Sequence, residues 1–374
     1  MGNIVAVIGT RPEAIKMAPV ILALRDATMF KTKVCVTGQH RELLHSALRL
    51  FDIAPDYNLN VMRPNQSLDD VTTSILQFLG EVLDEVKPNL LLVQGDTTTC
   101  MAASLSAFYR KIAVGHVEAG LRSGNLYAPW PEEFNRRVVS IATRFHFTPT
   151  KQARENLLAE GFPEAHIYVT GNTVIDALQW VSARIDESEE KRKHFERAYD
   201  FLDPKRRLVL VTGHRRENYG AGLAQICSAI ERLAKRDDIQ IVYPVHPNPN
   251  VRILVEEKLS GIDRVFLIDP VEYEPFVYLM HRASILLTDS GGIQEEGPSL
   301  GKPVLVMREV TERPEAVAAG TVRLVGSNAD RIVSEVERLL DDKVAYEAMA
   351  RAINPYGDGK ASQRILAVLE REVA

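Results

Sequence analysis

The sequence predicts an α/β protein with two doubly wound parallel sheets, and three observations support this class. Short apolar runs recur along the chain, each followed by a turn and an amphipathic stretch, which is the pattern of parallel strands joined by helices. The runs at 90–93 and 208–211 are apolar at every position, as expected for strands that are buried on both faces. The length of 374 residues is sufficient for two or three domains of ordinary size.

The predicted strands form two sets that are separated by a charged segment. The first set lies at 4–8, 34–37, 90–94, 112–117 and 145–148. The second set lies at 208–212, 239–244, 265–268, 285–288 and 303–307. The charges at 184–207 are typical of a solvated surface connection into the second domain. After a turn at 356–359, residues 360–373 are predicted to form a final helix.

Composition excludes several classes of protein. Hydrophobic residues make up 45% of the chain and charged residues 25%, which is typical of soluble globular proteins and argues against disorder. The 45 Lys and Arg against 50 Asp and Glu give a net charge of −5, so no basic excess favours nucleic acid or an anionic membrane. The chain shows no signal peptide and no apolar run near the ~20 residues of a membrane span, so a cytoplasmic protein is expected.

The sequence contains three cysteines, Cys35, Cys100 and Cys227. They are too widely separated for a disulfide framework or a structural zinc site, and each lies in or beside an apolar run. All three are therefore predicted to be structural.

Polar residues follow the strands of the first set, at the sheet edge where open parallel sheets bind ligands. Arg11 and Lys16 lie at a predicted helix start, where two cations and exposed backbone N–H groups favour an anion; a solvated helix start is the alternative. Asp96 follows the strand at 90–94 and precedes three threonines, so a carboxylate is not needed there as a helix cap.

Further carboxylates are expected at the same edge. Glu118 follows the strand at 112–117, and Glu132 and Glu133 begin a helix, where the helix dipole alone also favours acids. Three carboxylates at one edge would repel one another and raise the pKa of at least one of them. A carboxyl group with a raised pKa is suited to general acid or base catalysis near neutral pH.

The second set of strands is followed by cations and glycines. His214 and Arg215 come after the strand at 208–212, and guanidinium groups suit phosphate, although these arginines could instead pair with neighbouring acids. His246 follows the next strand, without the additional ligands that a metal site would need.

The segment 288–296 ends a strand with a Ser-Gly-Gly turn before a helix, a pattern that favours phosphate binding. Glu295 or Glu296, one turn into that helix, would then be placed to accept a hydrogen bond from a ribose hydroxyl. The pattern as a whole suits a nucleotide sugar bound in a cleft, with carboxylates from one domain and cations from the other. It does not separate sugar transfer from isomerisation.

Several segments closely resemble the non-hydrolysing UDP-N-acetylglucosamine 2-epimerases of bacteria. The matching segments are 9–16, 94–99, 115–122, 131–136, 213–217 and 289–296. The match runs essentially end to end, through 311–315 and the closing helix. Several long motifs in the correct order make chance agreement very improbable.

The resemblance implies a GT-B fold, in which two Rossmann-like domains have the active-site cleft between them. The N-terminal domain would comprise residues 1–170 plus 356–374 and carry the carboxylates, and the C-terminal domain, residues 171–355, would bind UDP. The resemblance also implies a homodimer that uses neither NAD nor a metal.

The implied reaction is the reversible interconversion of UDP-N-acetylglucosamine and UDP-N-acetylmannosamine, for surface polysaccharide biosynthesis. In this family UDP is eliminated to give 2-acetamidoglucal and is then added back with a proton delivered to the other face of C2. Inversion at C2 needs proton donors or acceptors on both faces of the sugar ring.

The resemblance assigns site residues by motif. Asp96, Glu118 and Glu132 become the acid/base candidates, Glu132 less securely because Glu133 adjoins it, and His214 stabilises the leaving group. The remaining residues resemble substrate contacts: the phosphate-binding Ser290, Gly291 and Gly292, the ribose acceptor Glu296, the uracil neighbour Phe276, and Arg11, Lys16, Arg136, Arg215, His246 and Arg313.

Some relatives carry an allosteric UDP-N-acetylglucosamine site, and its motif matches here at Gln39 and His40. Glu42 and Asn65 stand where the family pattern has Gln and Arg. Loss of a cation beside a diphosphate weakens such a site, so allosteric activation is not expected.

Three other functions remain as alternatives. A hydrolysing epimerase would release N-acetylmannosamine and UDP, and a GT-B glycosyltransferase would need an acceptor. A nucleotide-sugar sensor would bind without turnover, but binding alone does not require Asp96, Glu118 and Glu132.

Overall fold

The structure is a computed structural model that describes residues 2–38, 41–63 and 66–373, without the side chains of 41–43. Gln39, His40 and Asn65 and the side chain of Glu42, on which the allosteric prediction depends, lie outside the described residues. The chain forms two compact units, Met1–Gln179 with Tyr356–Ala374, and Trp180–Pro355. The assignment of functional domains to 1–170 plus 356–374 and to 171–355 stays a prediction.

The first unit is built on a seven-stranded parallel sheet. Its strands are β1 (Gly2–Ile8), β2 (Phe30–Val36), β3 (Tyr57–Asn58), β4 (Leu90–Gln94), β5 (Ala113–Val117), β6 (Phe145–Thr148) and β7 (Ile167–Val169). The spatial order is β3-β2-β1-β4-β5-β6-β7, so the chain builds outward from β1 in both directions. Its helices are α1 (Arg11–Asp26), α2 (Arg41–Leu50), α3 (Leu68–Val86), α4 (Thr98–Tyr109), α5 (Glu132–Ala142), α6 (Lys151–Ala159) and the first half of α7 (Thr173–Glu187), whose second half belongs to the second unit.

The second unit contains a six-stranded parallel sheet. Its strands are β8 (Arg207–Thr212), β9 (Ile239–Pro244), β10 (Val265–Ile268), β11 (Ala283–Thr288), β12 (Val304–Val306) and β13 (Val322–Leu324), in the order β10-β9-β8-β11-β12-β13. Its helices are α8 (Glu189–Ala198), α9 (Ala221–Leu233), α10 (Pro249–Leu259), α11 (Tyr273–Arg282), α12 (Gly291–Ser299), α13 (Pro314–Ala318), α14 (Ala329–Asp341) and α15 (Lys343–Ala350). Two wholly parallel sheets with connecting helices confirm the predicted fold class.

The central strands are apolar throughout because both faces of each sheet are covered. In β1 every side chain from Ile4 to Ile8 is buried, and β4 and β8 show the same pattern. Cys35, Cys100 and Cys227 are buried free thiols. Burial raises the pKa of Cys35 and of Cys227 to about 12 and that of Cys100 well above its usual range.

The final helix, α16 (Ala361–Glu372), packs on α1 in the first unit. Asp176 of α7 satisfies its N-terminus by accepting hydrogen bonds from the backbone N of Ala361 at 3.1 Å and of Ser362 at 2.7 Å. The Ser362 hydroxyl also donates to Asp176 Oδ1 at 2.6 Å.

Three short strands, β3, β7 and β13, were not predicted, because runs of two or three residues carry no readable periodicity. The charged segment at 184–207 is more structured than a connection. Within it α8 buries Phe195, whose ring lies 5.0 Å from that of Tyr278 on α11. None of the helices in the described ranges is long and apolar enough to span a membrane.

Candidate functional site

Glu118 lies directly after β5, at the carboxyl edge of the first sheet. Its backbone is in the left-handed region, with φ 66°, and its side chain is only 6% exposed. Both carboxylate oxygens accept hydrogen bonds from Lys16 Nζ at 2.7 Å, and Gln94 Nε2 and Asn172 Nδ2 also donate to this carboxylate. These donors favour the ionised form of a buried carboxylate.

Asp96 follows β4 and forms the second carboxylate position. Arg136 Nη2 lies 2.6 Å from Asp96 Oδ2, and Asn135 Nδ2 donates to the Asp96 backbone oxygen at 2.9 Å. Burial raises the pKa of Asp96, while the Arg136 guanidinium opposes the rise and the negative charge of Glu118 adds to it. Burial and the neighbouring charges thus shift the pKa of Asp96 in opposite directions, as is common for carboxyl groups that act as acids or bases.

Glu132 and Glu133 begin α5 in different environments. Glu133 is fully buried; it accepts from the backbone N of Ser123 at 3.0 Å and pairs with Arg136 at 3.0 Å and Arg137 at 3.4 Å. Glu132 Oε2 is also shielded from solvent, yet it has no hydrogen-bond partner. Glu133 therefore stabilises the start of α5, and Glu132 has an oxygen left for a ligand.

Glu13, which is not among the predicted site residues, is a buried carboxyl group. It accepts from the backbone N of Gly9 at 2.5 Å and of Thr10 at 2.8 Å, and the Thr97 hydroxyl donates to its other oxygen. It joins the turn before Arg11, the half-buried first residue of α1, to the turn that carries Asp96. Burial raises the pKa of Glu13 to about 7.

In the second unit, Asp289 organises the turn after β8. Its Oδ2 accepts from the backbone N of His214 at 2.9 Å and of Arg215 at 2.8 Å, and from Asn218 Nδ2 at 3.3 Å. Gly213 leaves room for the Tyr243 hydroxyl, which donates to the Gly213 backbone oxygen at 3.0 Å and would lie 3.0 Å from a Cβ at this position.

His214 is held beside a second histidine. Its ring stacks on that of His246, with centroids 5.2 Å apart and an interplanar angle of 15°. His246 Nδ1 in turn accepts from the backbone N of Asn248 at 3.1 Å. Burial lowers the pKa of His214, and the Asp289 carboxylate opposes that effect.

The Ser-Gly-Gly turn at the start of α12 lies between two guanidinium groups. A Cβ built on Gly291 would lie 3.7 Å from Arg313 Nη2 and 3.9 Å from Arg215 Nη2. Ser290 is the N-cap residue, but its side chain makes no capping hydrogen bond, and Gly292 is the second residue of the helix. The turn thus combines the N-terminal N–H groups of α12 with two cations, which is an arrangement for binding phosphate.

The two glutamates of α12 have separate partners. Glu295 pairs with Arg313 Nε, and Glu296 Oε2 accepts from the Tyr273 hydroxyl at 2.6 Å. Phe276 is half-buried on α11, one turn beyond Tyr273. Of the two carboxylates, Glu295 already neutralises an arginine, so Glu296 is the better candidate for a ribose contact.

The predicted site residues therefore form two groups, each within one unit. The first group follows β1, β4 and β5 and contains Arg11, Lys16, Asp96, Glu118, Glu132 and Arg136. The second group follows the strands β8 to β12 and contains His214, Arg215, His246, Phe276, Ser290, Gly291, Gly292, Glu296 and Arg313. Their roles in catalysis and binding stay predictions.

Comparison with solved structures defines the class as the GT-B fold. A UDP-GlcNAc 2-epimerase from Neisseria meningitidis, solved bound to UDP-GlcNAc, superimposes with a TM-score of 0.92 at 52% identity, over 99% of this chain and 100% of that one. A putative UDP-N-acetylglucosamine 2-epimerase from Listeria monocytogenes gives 0.90 at 43% identity, over 98% and 95%. A glycotransferase of kitacinnamycin gives 0.68 at 13% identity, which shows a shared fold alone.

The family follows from sequence comparison. The family model described as UDP-N-acetylglucosamine 2-epimerase matches residues 22–370. The UDP-N-acetylglucosamine 2-epimerase of Yersinia pestis is 57% identical over 369 residues, 98% of each chain. The chain belongs to the UDP-N-acetylglucosamine 2-epimerase family. The resemblance seen in the motifs and the predicted enzyme class, an isomerase, are confirmed.

Proposed function

We propose that the protein converts UDP-N-acetylglucosamine reversibly to UDP-N-acetylmannosamine by eliminating and re-adding UDP, without hydrolysis. The observation that carries this proposal is the set of carboxylates at one edge of the first sheet. Asp96 is paired with Arg136, Glu118 is paired with Lys16, and Glu132 keeps an oxygen without a hydrogen-bond partner. Epimerisation at C2 needs such separate groups, because a proton leaves one face of the ring and enters the other.

In the forward direction, a carboxylate of the first unit removes the proton from C2. The electron pair of the C2–H bond forms the C1=C2 bond of 2-acetamidoglucal, and the C1–O bond breaks with its electron pair moving to UDP. Addition of UDP to C1 then reverses the sequence, with a proton supplied to the opposite face of C2. The differing environments of Asp96 and Glu118 support a division between donor and acceptor roles, because burial raises the pKa of Asp96, whereas both oxygens of Glu118 accept hydrogen bonds from Lys16.

The second unit is proposed to bind UDP. Ser290, Gly291 and Gly292 would donate to the diphosphate from the start of α12, with Arg215 and Arg313 supplying positive charge beside the turn. Glu296 would accept from a ribose hydroxyl, Phe276 would contact uracil, and His214 would stabilise the departing diphosphate. The crystal structure of the Neisseria relative bound to UDP-GlcNAc supports this choice of ligand.

Incubation with UDP-N-acetylglucosamine alone in deuterated water, followed by NMR, tests the proposal. We expect a mixture of the two UDP sugars, with deuterium at C2 of both. Conversion that retained all hydrogen at C2 would refute the elimination mechanism.

The same experiment separates the alternatives. Free N-acetylmannosamine with UDP would identify a hydrolysing epimerase, and no turnover before an acceptor is added would identify a glycosyltransferase. UDP-sugar binding with neither exchange nor turnover would identify a sensor.

We further propose that the enzyme acts as a cytoplasmic homodimer in surface polysaccharide biosynthesis, with no nucleic-acid or membrane partner. The net charge of −5 supports the exclusion of polyanions, and the family resemblance supports the dimer. Light scattering after size-exclusion chromatography distinguishes a dimer of about twice 41.8 kDa from a monomer.

A further inference from the structure

Asp289 has one carboxylate oxygen in use and one without a partner. Its side chain is fully buried at the end of β11, and Oδ2 accepts all the hydrogen bonds from the His214 turn described above. Oδ1 is buried and has no hydrogen-bond partner. His214 Nδ1 lies 3.6 Å from Oδ1, which is too long for a hydrogen bond but close enough for a strong charge interaction.

An acceptor oxygen that is buried without a donor is unfavourable, and such atoms call for a functional explanation. The same carboxylate binds the His214 backbone, so its position relative to the ring is fixed by the turn itself. Stacking on His246 limits the swing of the His214 ring from one face, while 40% of the His214 side chain stays exposed. A small rotation about the side-chain bonds of His214 would bring Nδ1 within hydrogen-bond distance of Oδ1.

We propose that Asp289 is a positioning residue that holds the Nδ1–H of His214 towards its Oδ1 and thereby presents Nε2 to the diphosphate of the substrate. This inference rests on the proposed function, in which His214 stabilises departing UDP. The interaction strengthens as the ring becomes cationic, because a buried carboxylate then faces a positive charge.

The charges around His214 set its protonation. Burial lowers its pKa, His246 and Arg215 lower it further, and Asp289 raises it. With the anionic diphosphate bound, Nε2 takes up a proton from solvent, so the ring becomes an imidazolium with a hydrogen on each nitrogen. When the C1–O bond breaks, its electron pair goes to a β-phosphate oxygen, which accepts a hydrogen bond from Nε2–H, while Asp289 stabilises the charge of the imidazolium through Nδ1–H, as a buried carboxylate orients a catalytic histidine in other enzymes.

The first test measures the His214 ring directly, in protein labelled with ¹⁵N at histidine and with the His214→Gln spectrum used for assignment. In the wild type we expect the neutral ring to carry its proton on Nδ1. Asp289→Asn is expected to lower the pKa of His214, because the group that raises it is removed. The matched control is Glu217→Gln, which removes another carboxylate of the same turn. Because Glu217 pairs with Arg308 and not with His214, this variant should leave the pKa of His214 unchanged.

The second test is a double-mutant cycle on epimerase activity. Asp289→Asn is expected to reduce kcat by about 100-fold, with a much smaller change in KM. The double variant with His214→Gln should be no slower than His214→Gln alone, because Asp289 acts through His214. If the losses of kcat in the two single variants multiplied in the double variant, Asp289 would act independently of His214, and the proposal would be overturned.

A wild-type ring with its proton on Nε2, or an unchanged pKa of His214 in Asp289→Asn, would also overturn it. The tautomer is measured in the wild type, with only His214→Gln needed for assignment, so the proposal can be refuted even if Asp289→Asn fails to fold. The NMR results stand whether or not the protein epimerises its substrate, so failure of the proposed function is distinguishable from failure of this inference.

Discussion

The two sheet edges that carry the candidate site are built from different chemical groups. At the edge of the first sheet, charged side chains contact one another, as in the pairs Lys16–Glu118 and Arg136–Asp96. At the edge of the second sheet, Asp289 fixes the turn after β8 by accepting from the backbone N of His214 and of Arg215, and the glycine turn begins α12 beside two guanidinium groups. Proton transfer needs groups whose pKa the protein can adjust, whereas diphosphate binding needs donors fixed in space.

Replacement of Asp96 has the largest expected effect, and it tests whether proton transfer and UDP binding belong to different edges. Asp96→Asn removes a proton-transfer group but leaves the second unit intact, so we expect a loss of about 1,000-fold in C2 deuterium exchange. The affinity for UDP, measured by calorimetry, should stay within about twofold, because the UDP contacts are proposed to lie at the other edge. Asp84→Asn, at an exposed ion pair with Arg110, serves as the control and should retain full exchange. If Asp96→Asn also lost affinity for UDP, proton transfer and UDP binding would not be separated between the two edges.

The adjacent glutamates of α5 test which carboxylates at the first edge are structural. Glu133→Gln leaves two arginines facing a neutral side chain at a fully buried position, and we expect it to lower the free energy of unfolding by about 3 kcal/mol. Glu132→Gln should change stability by less than about 1 kcal/mol, yet reduce turnover about 100-fold. Urea denaturation and deuterium exchange measure the two effects. The reverse pattern would make Glu133 the active residue.

Glu13 gives the first edge a pH-dependent stability. Its folded-state pKa of about 7 is raised above the ordinary 4.5, so its contribution is fully present below pH 4.5 and is lost as the pH rises through 7. Between pH 5 and pH 8, the wild type should therefore lose about 2 kcal/mol relative to Glu13→Gln. Urea denaturation across this range measures the difference.

The matched control for Glu13 is Asp70→Asn. Hydrogen bonds from Ser67 lower the pKa of Asp70 below 3.8, so its contribution is lost only as the pH falls below that value. The stability difference between Asp70→Asn and the wild type should stay constant from pH 5 to pH 8. If Glu13→Gln gave the same flat difference, the raised pKa of Glu13 would be refuted.

Ser290 provides the smallest expected effect, at the second edge. Ser290→Ala removes one hydroxyl that makes no capping hydrogen bond, so we expect UDP to bind about fivefold more weakly with an unchanged kcat. Fluorescence or calorimetric titration with UDP measures the loss, and Ser334→Ala on the exposed face of α14 is the control. A reduced kcat with unchanged UDP affinity would contradict a pure binding role.

The sequence predicts the strands that carry the site because buried parallel strands are continuous, largely apolar runs bounded by turns. Leu90–Gln94 and Ile239–Pro244 agree with the structure at both ends. Motif and strand position also placed Asp96 and Glu118 at one edge, since the carboxyl ends of neighbouring parallel strands meet there.

The sequence does not reveal which residues a side chain contacts when those residues are distant along the chain. Glu13 lies inside a helix that begins like many others, and nothing local marks its distant contact with Thr97. The sequence places Asp289 in a phosphate-binding motif, whereas its Oδ2 accepts a hydrogen bond from the backbone N of His214, 75 residues earlier. The contrast between Glu132 and Glu133 likewise needs the packing of α5, because adjacent acids in a first helical turn look alike in sequence.

The burial of all three thiols has a practical consequence for studying this protein. Cys35, Cys100 and Cys227 are shielded and resist ionisation, so maleimides and similar reagents should leave the folded native chain unmodified. A single cysteine introduced at an exposed position on each unit, such as Ser334→Cys on α14, would then be the reactive thiol. Fluorophores or spin labels can be attached to the two units without first removing the native cysteines.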